Sequence, residues 1–204
     1  MKLIHEEILI GEADSSKSPE VITCLANIRS AIANVVWPQK SGKFTIRPII
    51  DGNGVLPIKV GFTRKLRALG WKLEERPVLA KGLGPGKVDA LKSLPDGRQF
   101  AAEWETGNIS SSHRALNKIC MGILEGHLAG GVLILPDREL YNYLTQRIGN
   151  YKELAPYFPV YRHLKAINGL LAVFAVTFDQ TSDRVTLIPK GLDGLSLQRR
   201  TLKK

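Results

Sequence analysis

A β-hairpin with one apolar and one acidic face constrains this chain more than any other feature of its sequence. Val88 to Leu94 and Arg98 to Glu105 flank Pro95-Asp96-Gly97, a turn signal between two alternating runs. A three-residue loop centred on Asp96 pairs positions whose numbers add to 192, setting Leu94 against Arg98, Ala90 against Ala102 and Asp89 against Glu103. The strand period of two then puts Val88, Ala90, Phe100, Ala102 and Trp104 on an apolar face, with Asp89, Glu103 and Glu105 together on the other. Carboxylates facing each other across a strand pair repel, and two in close contact do not both ionise comfortably at neutral pH. Such a cluster calls for a cation. Oxygen donors without His or Cys beside them suit Mg²⁺, with Mn²⁺ as a substitute, rather than zinc, and these ions polarise phosphoryl oxygens. Spacing alone leaves a second reading open, an exposed acidic strand face neutralised by nearby lysines.

The rest of the chain alternates helices with strands. Ser18-Pro19 reads as cap and first residue of a helix with Ile22, Leu25, Ile28 and Ile32 on one face, stopped by Trp37-Pro38. Phe44, Ile46 and Pro48 alternate into a turn at Asp51-Gly52-Asn53-Gly54, and Leu56 to Leu69 reads as a helix ended by Gly70. Lys59 to Lys87 holds eight basic residues against two acidic ones, a run whose default is a solvated face. After the hairpin, a helix starts in Ser110-Ser111-Ser112 and Gly131 to Leu135 is a buried strand. Asp137 caps a helix through Leu140, Leu144 and Ile148, and Asn150 caps a shorter one broken at Pro156 and Pro159. Leu170 to Phe178 and Val185 to Ile188 supply further strands. The expected fold is α/β, one domain over residues 1–204 with a central mixed β-sheet flanked by helices on both faces and a mobile C-terminal arm at 190–204.

Charge narrows the partners. The 29 Lys+Arg against 19 Asp+Glu leave a net charge of +10, which favours a polyanion, nucleic acid or an anionic membrane surface. Glu6 and Glu7 interrupt the stretch where a signal peptide would be apolar, and the most apolar stretch, the ten residues Gly169 to Phe178, falls far short of the ~20 that span a bilayer. A soluble, cytoplasmic protein with no membrane partner is the expectation. Cys24 and Cys120 carry no ligand spacing and read as buried reduced thiols in a reducing compartment.

The hairpin runs from Pro85-Gly86-Lys87-Val88-Asp89 through Glu103-Trp104-Glu105 into Thr106-Gly107-Asn108-Ile109-Ser110-Ser111-Ser112-His113-Arg114. This arrangement resembles the PD-(D/E)XK nuclease superfamily and, within it, the type II restriction endonucleases of the BamHI family, where a second Glu stands in place of the usual Lys. Trp37-Pro38, Gly52 to Val55, Pro57-Ile58-Lys59, Tyr143-Leu144-Thr145, Pro156-Tyr157-Phe158 and Leu187 to Gly191 extend the resemblance, in order, from about residue 35 to 195. The short D…E-x-E pattern by itself would be weak, whereas the run from Glu103 to Arg114 is a specific signature.

The resemblance implies a restriction-endonuclease-like core that cuts double-stranded DNA, with Asp89, Glu103 and Glu75 holding a metal pair and Glu105 orienting or deprotonating the attacking water. Lys59 would place phosphates, unless it is merely solvated. Asn108, Ser110 and Arg114 would read bases from the helix that follows the catalytic strand, and Arg147 a guanine, in keeping with the palindrome GGATCC. Gln146 departs from the family pattern, which has Asp there. An Asp accepts from cytosine N4, whereas a Gln both donates and accepts and commonly pairs with adenine. Asp193 and Gly194 match an arm that approaches the minor groove. A palindromic target implies a homodimer, with the helix from about Ser110 to Gly126 contributing to the contact. No organic cofactor is implied. A repair or junction-resolving nuclease on the same core, or a catalytically silent DNA-binding protein, are the alternatives the sequence leaves.

Overall fold

The computed structural model describes residues 1–77, 86–164 and 168–190. Its strands are β1 (Lys2–Ile10), β2 (Thr45–Ile46), β3 (Lys72–Glu75), β4 (Val88–Ser93), β5 (Gln99–Trp104), β6 (Leu128–Pro136), β7 (Leu170–Thr177) and β8 (Gln180–Thr181). Its helices are α1 (Pro19–Ala33), α2 (Leu56–Ala68), α3 (Ile109–Leu124), α4 (Arg138–Tyr143), α5 (Tyr151–Leu154) and α6 (Phe158–Arg162). Six strands form one sheet in the order β1-β7-β6-β5-β4-β3, while β2 and β8 pair separately. The sheet is mixed: β5, β6 and β7 run parallel, and β1, β4 and β3 join antiparallel.

Both faces of the sheet are covered, as expected. On one side Ile28 and Ile32 of α1 with Phe62 and Leu66 of α2 join Phe100, Ala102, Trp104, Ile134 and Phe174 in one core cluster. On the other, Leu116, Ile119 and Ile123 of α3 with Leu154 and Phe158 join Ala101, Leu133 and Val173. Strands β6 and β7 are buried along their whole length, which is why they read as continuous apolar runs rather than alternating ones.

Local signals placed the caps. The Ser18 hydroxyl accepts from the Val21 N–H, the Asn108 side chain from Ser111, Asp137 from Leu140 and Asn150 from Glu153. The hairpin register is the expected one, Ala90 opposite Ala102 and Ser93 opposite Gln99. Its loop closes through Leu94 N–H to the Arg98 carbonyl at 2.9 Å, with Gly97 at φ +86° where a side chain would be strained.

Other expectations fail for tertiary reasons. The buried stripe of α1 is Val21, Cys24, Ile28, Ala31 and Ile32, and Ile22 is 54% exposed. The Asp137 helix stops at Tyr143, because Leu144 leaves it to bridge with Asn53. Pro156 and Pro159 do not break the chain's helical course: each sits in the first turn of a new short helix, where its missing N–H costs nothing. Val185 and Ile188 are buried without forming a strand. Strands β1, β3 and β8 went unread, β1 because five of its residues are exposed and its charges mask any alternation. Both cysteines are free and buried, and burial pushes the Cys24 thiol up to about 12. No helix among the described residues is long and apolar enough to cross a membrane. The arm expected at 190–204 lies, apart from Lys190, outside the described residues.

Candidate active site

The β4–β5 ladder ends at Ala90 and Ala102, and two carboxylates replace it beyond that point. Asp89 Oδ2 accepts from the Trp104 N–H at 2.8 Å, and Glu103 Oε2 accepts from the Asp89 N–H at 3.2 Å. Side chains thus satisfy backbone donors that a continuing ladder would have paired. The same divergence explains why Val88 packs with Leu91 and Ala101 on the α3 side, not with Ala90 as strict alternation predicted.

Asp89 and Glu103 are buried, so the open alternative of an exposed acidic face is set aside, although lysines do neutralise the pair. Lys59 reaches Asp89 Oδ1 from α2 on one side of the sheet, and Lys118 reaches Glu103 Oε1 from α3 on the other, both at 2.5 Å. Lys118 also donates to the Lys87 carbonyl at 2.8 Å. Burial pushes the Glu103 carboxyl up to about 7; the Lys118 ammonium opposes this and the Asp89 charge adds to it. Burial likewise raises Asp89 against the pull of Lys59. For Lys59, burial works to lower the ammonium, but the Asp89 charge and hydrogen bond outweigh it and hold the group above its ordinary value.

The donor set fits a hard divalent cation. Each carboxylate has one oxygen fixed by a backbone N–H and turns the other, Asp89 Oδ1 or Glu103 Oε1, toward a positive charge. The site is smaller than the sequence suggested, because no group of three or more His, Cys, Asp or Glu side chains converges among the described residues. Glu105 does not join Asp89 and Glu103 in such a group. The strand ends at Trp104, and the Glu105 carboxylate accepts from the Gly107 N–H at 2.5 Å. Glu75 is exposed on edge strand β3 opposite Val88, and it is its neighbour Glu74, at φ +55°, whose charge bears on Asp89 and Lys59.

The expected base readers are all exposed. Asn108 caps α3, Ser110 lies in its first turn, and Arg114 one turn on donates to Ser111 Oγ at 3.3 Å. Gln146 and Arg147 occupy the loop after α4, which docks on the start of α3 through Gly149 N–H to the Gly107 carbonyl at 2.8 Å. Two short hydrogen-bonded steps therefore join Glu105 to that loop, by way of Gly107. Asp193 and Gly194 lie outside the described residues. Sequence reasoning missed Lys118. Its signal is faint: it borders the buried stripe of Ala115, Ile119 and Gly122, where a lysine stem can stay covered only if its ammonium finds an acid.

The family model described as restriction endonuclease BamHI matches residues 1–195. The type II restriction enzyme OkrAI of Oceanobacter kriegii is 46% identical over 198 residues, covering 97% of this chain and 100% of the relative. The type II restriction enzyme BamHI of Bacillus amyloliquefaciens is 32% identical over 213 residues, covering 98% and 95%. Among solved structures, restriction endonuclease BglII complexed with a DNA 16-mer matches the fold with a TM-score of 0.60 at 11% identity, over 91% of this chain and 88% of that one. Full-length coverage and a buried acidic pair at a diverging hairpin agree: the chain belongs to the BamHI family of type II restriction endonucleases, site-specific deoxyribonucleases.

Proposed function

We propose that this enzyme hydrolyses double-stranded DNA at a short palindrome, GGATCC or a closely related site, with Mg²⁺ as its ion and Mn²⁺ as a substitute. The observation that carries the site assignment is the pairing of Asp89 and Glu103, each anchored by one oxygen and offering the other to a cation. Asp89 and Glu103 would hold the ions, with Glu75 on neighbouring β3 as a further ligand. Divalent ions there supply charge stabilisation to the scissile phosphate and its leaving oxygen.

The chain's own groups do the rest. Glu105, freed from the Gly107 N–H, orients the attacking water and takes its proton, and in-line attack inverts the phosphorus. Lys59, already at Asp89, places the phosphate. Asn108, Ser110, Arg114, Gln146 and Arg147 read base edges in the major groove, and Asp193 and Gly194 approach the minor groove. Two subunits act as a homodimer, one on each strand. Met121 and Leu124, exposed on α3, offer apolar side chains for that contact, whereas Ile119 and Ile123 belong to the core. The cytoplasm is the fitting compartment for free buried thiols beside a DNA substrate.

Incubating the purified protein with a plasmid library and Mg²⁺, then sequencing the ends, tests the reading. Cuts confined to one palindrome support it; scattered or structure-dependent cuts point to a repair or junction nuclease, and intact plasmid under every divalent ion rejects it.

A further inference from the structure

Gln146 and Arg147 lie side by side and exposed, but they differ in what surrounds them. Arg147 has no ion-pair partner among the described residues, whereas Gln146 Nε2 donates to Asp51 Oδ2 at 2.9 Å. The Asp51 loop is bolted to the segment that leads to Gln146. The Asp51 N–H donates to the Asn142 carbonyl at 3.0 Å, and the Asn53 N–H to the Tyr143 carbonyl at 2.9 Å. Asn53, fully buried, also sends Nδ2 to the Arg47 and Tyr143 carbonyls at 2.9 and 3.0 Å and accepts the Ile188 N–H at 3.2 Å. Asp51 holds φ +53°, a conformation that favours glycine, so a backbone cost is borne where a carboxylate is presented.

A glutamine amide alone is ambiguous, with donors at one end and an acceptor at the other. A carboxylate only accepts. Beside Asp51 the amide therefore turns its NH₂ inward and leaves Oε1 outward. An outward oxygen accepts from cytosine N4, and with the NH₂ committed to Asp51 the two-bond match to adenine N6 and N7 is lost. Arg147 next door offers donors only, the match to guanine O6 and N7. One acceptor and one donor fork, adjacent in the chain, fit the two bases of a single G·C pair.

We propose that Asp51 is a positioning residue that makes Gln146 a hydrogen-bond acceptor, and so sets the preference for cytosine over adenine at the base pair read by Gln146 and Arg147. The inference rests on the reading of this loop as a DNA-reading element.

Its test is kcat/KM on duplexes carrying the preferred site and every single-base-pair substitution, for the wild type, Asp51→Gly, Gln146→Ala and the double variant. Glycine suits φ +53° and keeps the loop, and a thermal melt of each variant verifies folding. At one base pair, Asp51→Gly should lower the discrimination against cytosine replaced by adenine by roughly tenfold, the order expected of one base contact. Discrimination elsewhere should hold. In the Gln146→Ala background the same substitution should change nothing, because Asp51 acts only through that amide. Asp51→Asn, whose amide can face Gln146 either way round, should fall between. An unchanged profile, an equal loss at all positions, or the same loss without Gln146 would each overturn the proposal. A wild type that cuts without site preference overturns the DNA-reading assignment itself, a failure visible before any variant is made.

Discussion

The buried carboxylate pair and the surface proposed to read DNA are built on opposite principles. Asp89 and Glu103 are held by backbone N–H groups of facing strands and by lysines from both sides of the sheet, so their geometry is fixed by the fold. Asn108, Ser110, Arg114, Gln146 and Arg147 are exposed on a helix start and a loop, free to meet a partner that brings its own geometry. On the proposed reading, the half that cuts is preorganised and the half that reads is posed by light contacts. The Gly107–Gly149 hydrogen bond links the turn after β5 to the loop of Gln146 and Arg147.

The largest effect that can sharpen this contrast is on chemistry alone. Glu103→Ala should reduce cleavage at least ~10³-fold, about 4 kcal/mol of barrier, while gel-shift affinity for the preferred site holds or tightens; nicking at the wild-type rate would remove Glu103 from the site. On the reading side, Arg147→Ala should cost about 1–3 kcal/mol of binding and relax selection at one base pair, leaving Mn²⁺ affinity untouched. A simultaneous loss of ion binding would dissolve the division into two halves.

Protonation gives the next size of effect. A carboxyl raised to about 7 is mostly protonated at pH 6, so an incoming ion must expel that proton. Ion affinity should climb as pH rises through about 7 and level off above it, read by calorimetry in buffers of different ionisation enthalpy. A flat profile would mean that Glu103 is not a ligand. The smallest change expected is from Lys118→Met, which keeps the stem and removes a competing ammonium. Mn²⁺ binding to the free protein, followed by electron paramagnetic resonance, should tighten by about three- to tenfold. Unchanged affinity with a lowered melting temperature would make Lys118 a packing residue only.

What could be read from the sequence divides along the same line. The hairpin register, three helix caps and the two-sided sheet were legible because each is set by local chemistry or by period. The meeting of Asp89 and Glu103 followed from the register. The position of Glu105 did not, because it depends on where the strand stops and on a turn through Gly107. Lys118 and Asp51 were unreadable for another reason: their partners lie 15 and 95 residues away, and only the packed fold brings them together. The exposed charges of β1 hid a strand whose place is set by its pairing with β7.

The carboxylates that replace the end of the β4–β5 ladder also constrain how this enzyme can decay. Alanine at Asp89 would strand the buried Trp104 N–H as well as remove a proposed metal ligand, so inactivation there damages folding too. Glu105 closes only a half-exposed turn, so under its proposed catalytic role a lineage shedding its nuclease activity while keeping its grip on DNA has its easiest exit at that position.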